Sequence, residues 1–254
     1  MPILRPGTVQ DTYRLRASLP SLHDLTGRPD PEFTNFITRN IYTAISPTRE
    51  DVLLDIGCGD GSLLRMCDCS KVGILPSAEE VARLRSEFPE LDIRQGLAQS
   101  LPVPDSFATK VVCNGVITCI TPESEVIKAL SEISRVAAKG AAIYIGELPD
   151  VDELAEKGRD YGASIGRWLA HLQRKSLYHL LAGMKDLAVS ALTSKTFFLE
   201  PPDFYFVTPA HFIAMAEKFG LEHVRHFRRM EPHGPSTTRF DYIFMKSRED
   251  AART

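Results

Sequence analysis

Four residues in the stretch DVLLDIGCGDGSLL (51–64) have types and spacing suited to ligand chemistry: Asp55, then Gly57, Gly59 and Gly61 at alternate positions. Glycines in a strand-to-helix turn let a ligand approach the backbone, and the start of the helix offers N–H groups to a negatively charged group. Asp55, near the end of the apolar run VLLDI, is placed to orient that turn or to meet a ligand cation. About twenty positions on, a nucleotide-binding α/β domain carries an acid for the ribose hydroxyls. Here the stretch VGILPSAEE puts Leu75 at that place.

Other chemistry-bearing residues are sparser. The five cysteines, Cys58, Cys67, Cys69, Cys113 and Cys119, read as reduced thiols. Cys67 and Cys69 form a CxC with no companion Cys/His pair nearby, so no metal site is expected. No Ser-His-Asp set or paired carboxylates stand out, and the catalytic residue is left unassigned. His171 and His179 are candidate bases in the segment 150–206, each read first as a surface or satisfied residue. Arg167, His171, Arg174 and Lys175 share a face of a helix expected at 164–182. That face is read as solvated, the sharper alternative being a lid that meets a phosphate or carboxylate. Arg225, His226, Arg228 and Arg229 lie along a strand candidate, where alternation lets only half of them share a surface.

These residues need a scaffold, and the pattern around them supplies one. Residues 32–45 place Phe33, Phe36, Ile37, Ile41 and Ile45 on one helical face. Strand-like runs at 52–56, 72–75, 91–94, 111–114 and 141–148 alternate with helices at 77–88 and 122–138, which predicts crossover units and a parallel sheet. Ser77 and Glu80 form an S-x-x-E capping box. Thr121 and Pro122 are expected to open the second helix, with Lys139 and Gly140 closing it. The rhythm breaks after 148, and 150–206 reads as a mostly helical insertion. Thr208 and Pro209 then open a helix ending at Gly220, before strand candidates at 222–230 and 240–246 joined by the turn-rich PHGPST. The expected organisation is a leader and helix at 1–50, a core at 51–149 and 207–254, and a helical substrate cover at 150–206.

Bulk numbers narrow the partners. The chain has 254 residues, 43% hydrophobic and 25% charged, enough for one generous core. A net charge of −3 and a pI near 6.2 give no global attraction to nucleic acid, so a small-molecule substrate is expected. The opening MPILRPGTVQDTYRLRASLP carries charges and prolines where a signal peptide needs an apolar run, and no window approaches about 18 consecutive apolar residues. A cytoplasmic protein without membrane association is the expectation, and a homodimer is compatible with it.

With these residues in view, the chain resembles the class I S-adenosylmethionine-dependent methyltransferases of small molecules. The resemblance is carried by DVLLDIGCGDGSLL, GILPSAEEVARLRSEFP, RQGLAQSLPVPDSFATKVVCNGVITCI, EISRVAAKGAAIYIGE and YFVTPAHFIAMAEKFGLE, in the family's order and spacing. It implies an α/β fold with a seven-stranded, mostly parallel, Rossmann-like sheet whose last strand is antiparallel. It also implies S-adenosylmethionine as cofactor. Asp55, Gly57, Cys58 and Gly59 would lie at its methionine end, Leu75 at the ribose, Leu97 and Ala98 beside the adenine, and Asn114 and Gly115 near the sulfonium. Thr118 and Cys119 would shape the acceptor pocket.

The chain departs from the family where acids are common, carrying Leu75, Leu97 and Ala108 instead. A charge-assisted hydrogen bond contributes about 1.5 to 3 kcal/mol, so loss of the ribose contact alone weakens binding about ten- to a hundredfold. If Leu75 meets the ribose, Leu75→Asp should tighten binding; if it packs in the core, the same change should weaken binding or unfold the domain. Methyl transfer to a small-molecule acceptor is the leading expectation. The alternative is a methyltransferase-fold binding subunit or an enzyme of another class. A nicotinamide enzyme is disfavoured, since Leu63 stands near the place of the helix-packing glycine or alanine.

Overall fold

The computed structural model describes residues 3–4, 16–19, 21–26, 31–156, 197–198, 204–232 and 234–248. Seven strands make one sheet: β1 (Val52–Ile56), β2 (Ser70–Leu75), β3 (Asp92–Gln95), β4 (Ala108–Asn114), β5 (Ala137–Pro149), β6 (Leu221–Glu231) and β7 (Gly234–Lys246). Their spatial order is β3-β2-β1-β4-β5-β7-β6. Neighbours from β3 through β5 are parallel, and β7 runs antiparallel to both β5 and β6. The expected seven-stranded, mostly parallel sheet is therefore present. Ile3–Leu4 and Phe197–Phe198 form a separate parallel pair.

Both faces of the sheet are covered, which is why its central strands read as unbroken apolar runs. Leu54, Ile56, Val111, Ile143 and Phe244 point to one side, where helices α4 (Glu123–Val136) and α6 (Pro209–Glu217) pack through Leu130, Ile133 and Phe212. Leu53, Val112 and Tyr144 point to the other. That side is covered by α1 (Pro31–Ile45), the short α2 (Ser62–Met66) and α3 (Ala78–Glu87). A short helix α5 (Val151–Glu156) follows β5.

Several local expectations hold. The Ser77 hydroxyl accepts the Glu80 N–H at 3.2 Å and donates to its carboxylate at 2.6 Å. Thr208 caps α6 by accepting the His211 N–H. Others need correction. Helix α4 stops at Val136, and Lys139 and Gly140 belong to β5. Ala137 is already paired with Ala108 and fully buried, so strand pairing takes over the chain before a glycine stop is reached. Pro122, not Thr121, occupies the N-cap, with no side-chain cap bond.

Residues 1–30, rich in Pro, Ser and Arg, read in the sequence as a loosely structured leader. Its described part is docked: Arg83 donates to the carbonyls of Ala17 at 2.7 Å and Arg16 at 3.3 Å, and Leu25 is buried. The helices expected over 150–206, with Arg167, His171, Arg174, Lys175 and His179, lie outside the described residues, except for α5. Among the described residues, no helix is long and apolar enough to cross a membrane.

Candidate active site

The sheet order puts β1 at a switch point: the chain proceeds from β1 outward to β3, then returns to place β4 on the other side of β1. In open α/β sheets, ligands bind in the crevice outside the carboxyl ends of the strands at such a point. The residues lining that edge follow from the register. Asp55 lies beside Gly73 and Val112, and Val112 beside Tyr144. Two positions on, the same face carries Leu75, Asn114 and Gly146, the last two directly paired.

The glycine turn connects β1 to α2. Gly57 has φ +77°, and a Cβ there would lie 2.3 Å from Val116 Cγ2, so the turn after β4 is packed directly onto the turn after β1. Gly57 and Cys58 donate their N–H groups to the Ile74 carbonyl at 2.9 and 3.2 Å. Among the described residues, the N–H groups of Gly59 and Asp60 have no protein acceptor. Gly59, with φ +54°, is flanked by Thr26, whose Cα lies 3.6 Å from where a Cβ would sit. The docked 3-10 turn Leu22–Thr26 is thus one wall of the cradle. Helix α2 has only five residues, so the loop amides rather than a helix dipole carry the attraction for a negative group.

Asp55 is buried, with 5% of its surface exposed. Cys58 lies beside it, and burial first, then the Asp55 charge, pushes the thiol pKa well above the ordinary cysteine range. Burial likewise raises Cys113. Both are protonated packing residues and not nucleophiles.

Leu75 is 2% exposed and packs with Ile37 and Ile41 of α1 and with Val81 and Leu84 of α3. Its side chain is core, and only its backbone, whose carbonyl accepts the Gly96 N–H at 3.0 Å, lies at the strand mouth. Of the two residues expected beside the adenine, Ala98 is buried in the core and Leu97 is 39% exposed on the same loop. The loop is held by Glu132, which accepts the Leu101 N–H at 2.8 Å. Arg135 bonds Glu132, Asp105 and the carbonyls of Leu101 and Val103.

At the mouth of β4, Asn114 is followed by Gly115, whose N–H donates to the Gly146 carbonyl at 3.0 Å. The 3-10 turn Ile117–Cys119 comes next. Tyr205 bonds it through a backbone N–H to the Thr118 carbonyl at 2.8 Å. The Tyr205 hydroxyl donates to Glu123 at 2.7 Å, and His211 lies 3.1 Å from the same carboxylate. The Tyr205 hydrogen bond comes first among the effects holding Glu123 below the usual glutamate range.

Sequence reasoning missed one set of residues. Arg229, 1% exposed, donates through Nη1 to Asn114 Oδ1 at 2.9 Å and to Asp241 Oδ1 at 3.0 Å. Asp241 also accepts the Tyr144 hydroxyl at 2.5 Å and the Glu147 N–H at 2.9 Å. Glu147 accepts from Arg239 at 2.7 Å. Register breaks in β5 between Ile145 and Leu148, and in β6 between Arg228 and Met230, aim Glu147 and Arg229 at the same place. The available signal was the acid in FDYIF, a run that must be a buried strand, opposite the pair Arg228-Arg229.

A glycine cradle thus lies at the switch point, with the buried Asp55 behind it and the Arg229–Asp241 pair on the neighbouring strands. Comparison with known proteins specifies it further. Residues 54–145 match the family model for the methyltransferase domain. A probable S-adenosylmethionine-dependent methyltransferase of Mycobacterium tuberculosis is 27% identical over 127 residues, and the match spans 46% of each chain, about half the length of that relative. The fold is shared with the N-methyltransferase NodS of Bradyrhizobium japonicum, solved with S-adenosyl-L-homocysteine (10% identity, TM-score 0.59, 93% of this chain and 97% of that one). It is also shared with the (4+2)-cyclase SpnF (15% identity, TM-score 0.61, 96% and 98%). Over residues 54–145 the chain is thus similar to the methyltransferase domain, within a fold that it shares with S-adenosylmethionine-dependent methyltransferases.

Proposed function

We propose that the protein transfers a methyl group from S-adenosylmethionine to a small-molecule acceptor. The observation that carries this reading is the cradle at the switch point, within the stretch that matches the methyltransferase domain, where the Gly59 and Asp60 N–H groups have no protein acceptor among the described residues. When bound, the cofactor supplies an electrophilic methyl group on a sulfonium.

The chain's own residues fit its methionine end better than its ribose. The loop amides suit a carboxylate, and Asp55 suits an ammonium or the ordering of the loop. Leu75 offers the ribose no side-chain acceptor, because that side chain is in the core. Leu97 and Ala98 sit on the loop that would flank the adenine, and Asn114 and Gly115 stand at the mouth where the acceptor would meet the methyl group. In-line displacement with a good leaving group draws most of its rate from proximity and orientation, so no resident base is required for an ionised acceptor. The reading includes a cytoplasmic protein, for which the five free cysteines speak, and a neutral or modestly charged acceptor rather than nucleic acid, for which the net charge speaks.

A second reading keeps the fold without methyl transfer. It is favoured by the apolar core position of Leu75 and by the likeness to a fold member named as a cyclase. Thermal unfolding with and without S-adenosylhomocysteine separates the two. At about a hundred times its dissociation constant, a ligand specific for the native state stabilises it by about 2.7 kcal/mol. No shift at millimolar concentration would sink the methyltransferase reading, whereas a shift with no product from any acceptor would favour the second.

A further inference from the structure

Arg229 is a buried cation, and among the described residues three of its five N–H donors make no hydrogen bond. Nη1 serves both Asn114 and Asp241. Nη2 comes within 3.4 Å of Glu147 Oε2 but without hydrogen-bond geometry, and among the described residues neither Nη2 nor Nε has a hydrogen-bond partner. A buried donor left open costs about 1–3 kcal/mol, and more when it is charged, so the vacancy requires a reason.

The bond to Asn114 has a chemical consequence. A guanidinium only donates, so the Asn114 amide must turn its oxygen toward Arg229 and present its NH2 group elsewhere. Among the described residues, that NH2 group has no acceptor. Gly146 completes the arrangement, because a Cβ there would lie 2.6 Å from Asn114 Oδ1 and 2.9 Å from Asp241 Oδ1. The buried Arg229 Nε and Nη2 and the Asn114 NH2 group therefore all lie without a hydrogen-bond acceptor among the described residues, beside the carboxyl edge of β4 and β5.

Charge decides what they accept. Arg229 and Arg239 face Glu147 and Asp241, so the four groups sum to zero. A carboxylate or phosphate would add an uncompensated charge to a dry site, whereas a neutral oxygen would not. We propose that Arg229, together with the Asn114 amide it orients, receives a neutral oxygen of the methyl acceptor, of the carbonyl, amide or hydroxyl class, and so determines substrate specificity. The proposal rests on the methyltransferase reading.

The test is nuclear magnetic resonance on the full chain saturated with S-adenosylhomocysteine, following the Arg229 Nε–H and Asn114 side-chain NH2 signals. N-methylacetamide should shift both signals saturably, and acetate at equal concentration should shift neither. Asn114→Asp, nearly isosteric and still an acceptor for Arg229, should weaken the N-methylacetamide response about threefold or more. Arg229→Lys should abolish it while S-adenosylhomocysteine still binds. If S-adenosylhomocysteine does not bind the wild type, both readings fall. If it binds and neither probe moves the signals, or if acetate acts at lower concentration than N-methylacetamide, this proposal alone falls.

Discussion

Glu132 of α4 accepts the backbone N–H of Leu101 at 2.8 Å while meeting Arg135 through both carboxylate oxygens, so one side chain ties the loop after β3 to the opposite layer. The Arg135 hydrogen bond is first among the effects that hold the Glu132 carboxyl below its ordinary range. A carboxyl with a lowered folded-state pKa stabilises the fold above its unfolded value, 4.5, and that contribution is lost as pH falls through the folded value. Glu132→Gln should cost about 1–3 kcal/mol at neutral pH and flatten the loss of stability on the acid side. Urea midpoints measured from pH 7 down to pH 3 check both outcomes.

Leu75→Asp should not tighten cofactor binding. The side chain is 2% exposed among apolar residues, so the change removes a packed leucine and buries a carboxylate without a partner. The loss should exceed about 3 kcal/mol, and Leu75→Met should cost under about 1.5 kcal/mol. Thermal melts with S-adenosylhomocysteine titrations decide the matter: a folded Asp variant that binds more tightly would place the side chain at the ligand.

Gly57→Ala meets two obstacles: a Cβ 2.3 Å from Val116 Cγ2 and a backbone at φ +77°. The backbone strain alone costs about 1–3 kcal/mol. Adding Val116→Ala should recover the steric part and leave the strain. Calorimetry on the single and double variants should show partial recovery of stability, together with weakened S-adenosylhomocysteine binding in both.

The fold was legible where local signals agreed. The runs at 52–56 and 72–75, the Ser77 and Glu80 cap and the Thr208 cap all lie in the structure as patterned. Boundaries failed where pairing overrode local preference, as at Ala137, which joins the sheet ahead of Lys139 and Gly140. The glycine cradle was legible because its residues are adjacent in sequence. The polar group around Arg229 was not, because Arg229 and Asn114 stand 115 residues apart and two register breaks set their direction. Alternation did foretell that Arg228 and Arg229 would part: Arg228 pairs with Glu153 at 43% side-chain exposure, while Arg229 is buried. Leu75 shows the converse, since its position in sequence indicated a ligand contact and its neighbours in space made it core.

The last two strands enter the sheet out of turn, β7 slotting between β5 and β6. A growing chain that has completed β6 has no strand for it to pair with, and Arg229 has as yet no carboxylate from Asp241. Every residue of the glycine cradle and of its Val116 wall is synthesised well before that moment. The glycine cradle is thus made early, and the buried contact of Arg229 with Asp241 only with β7.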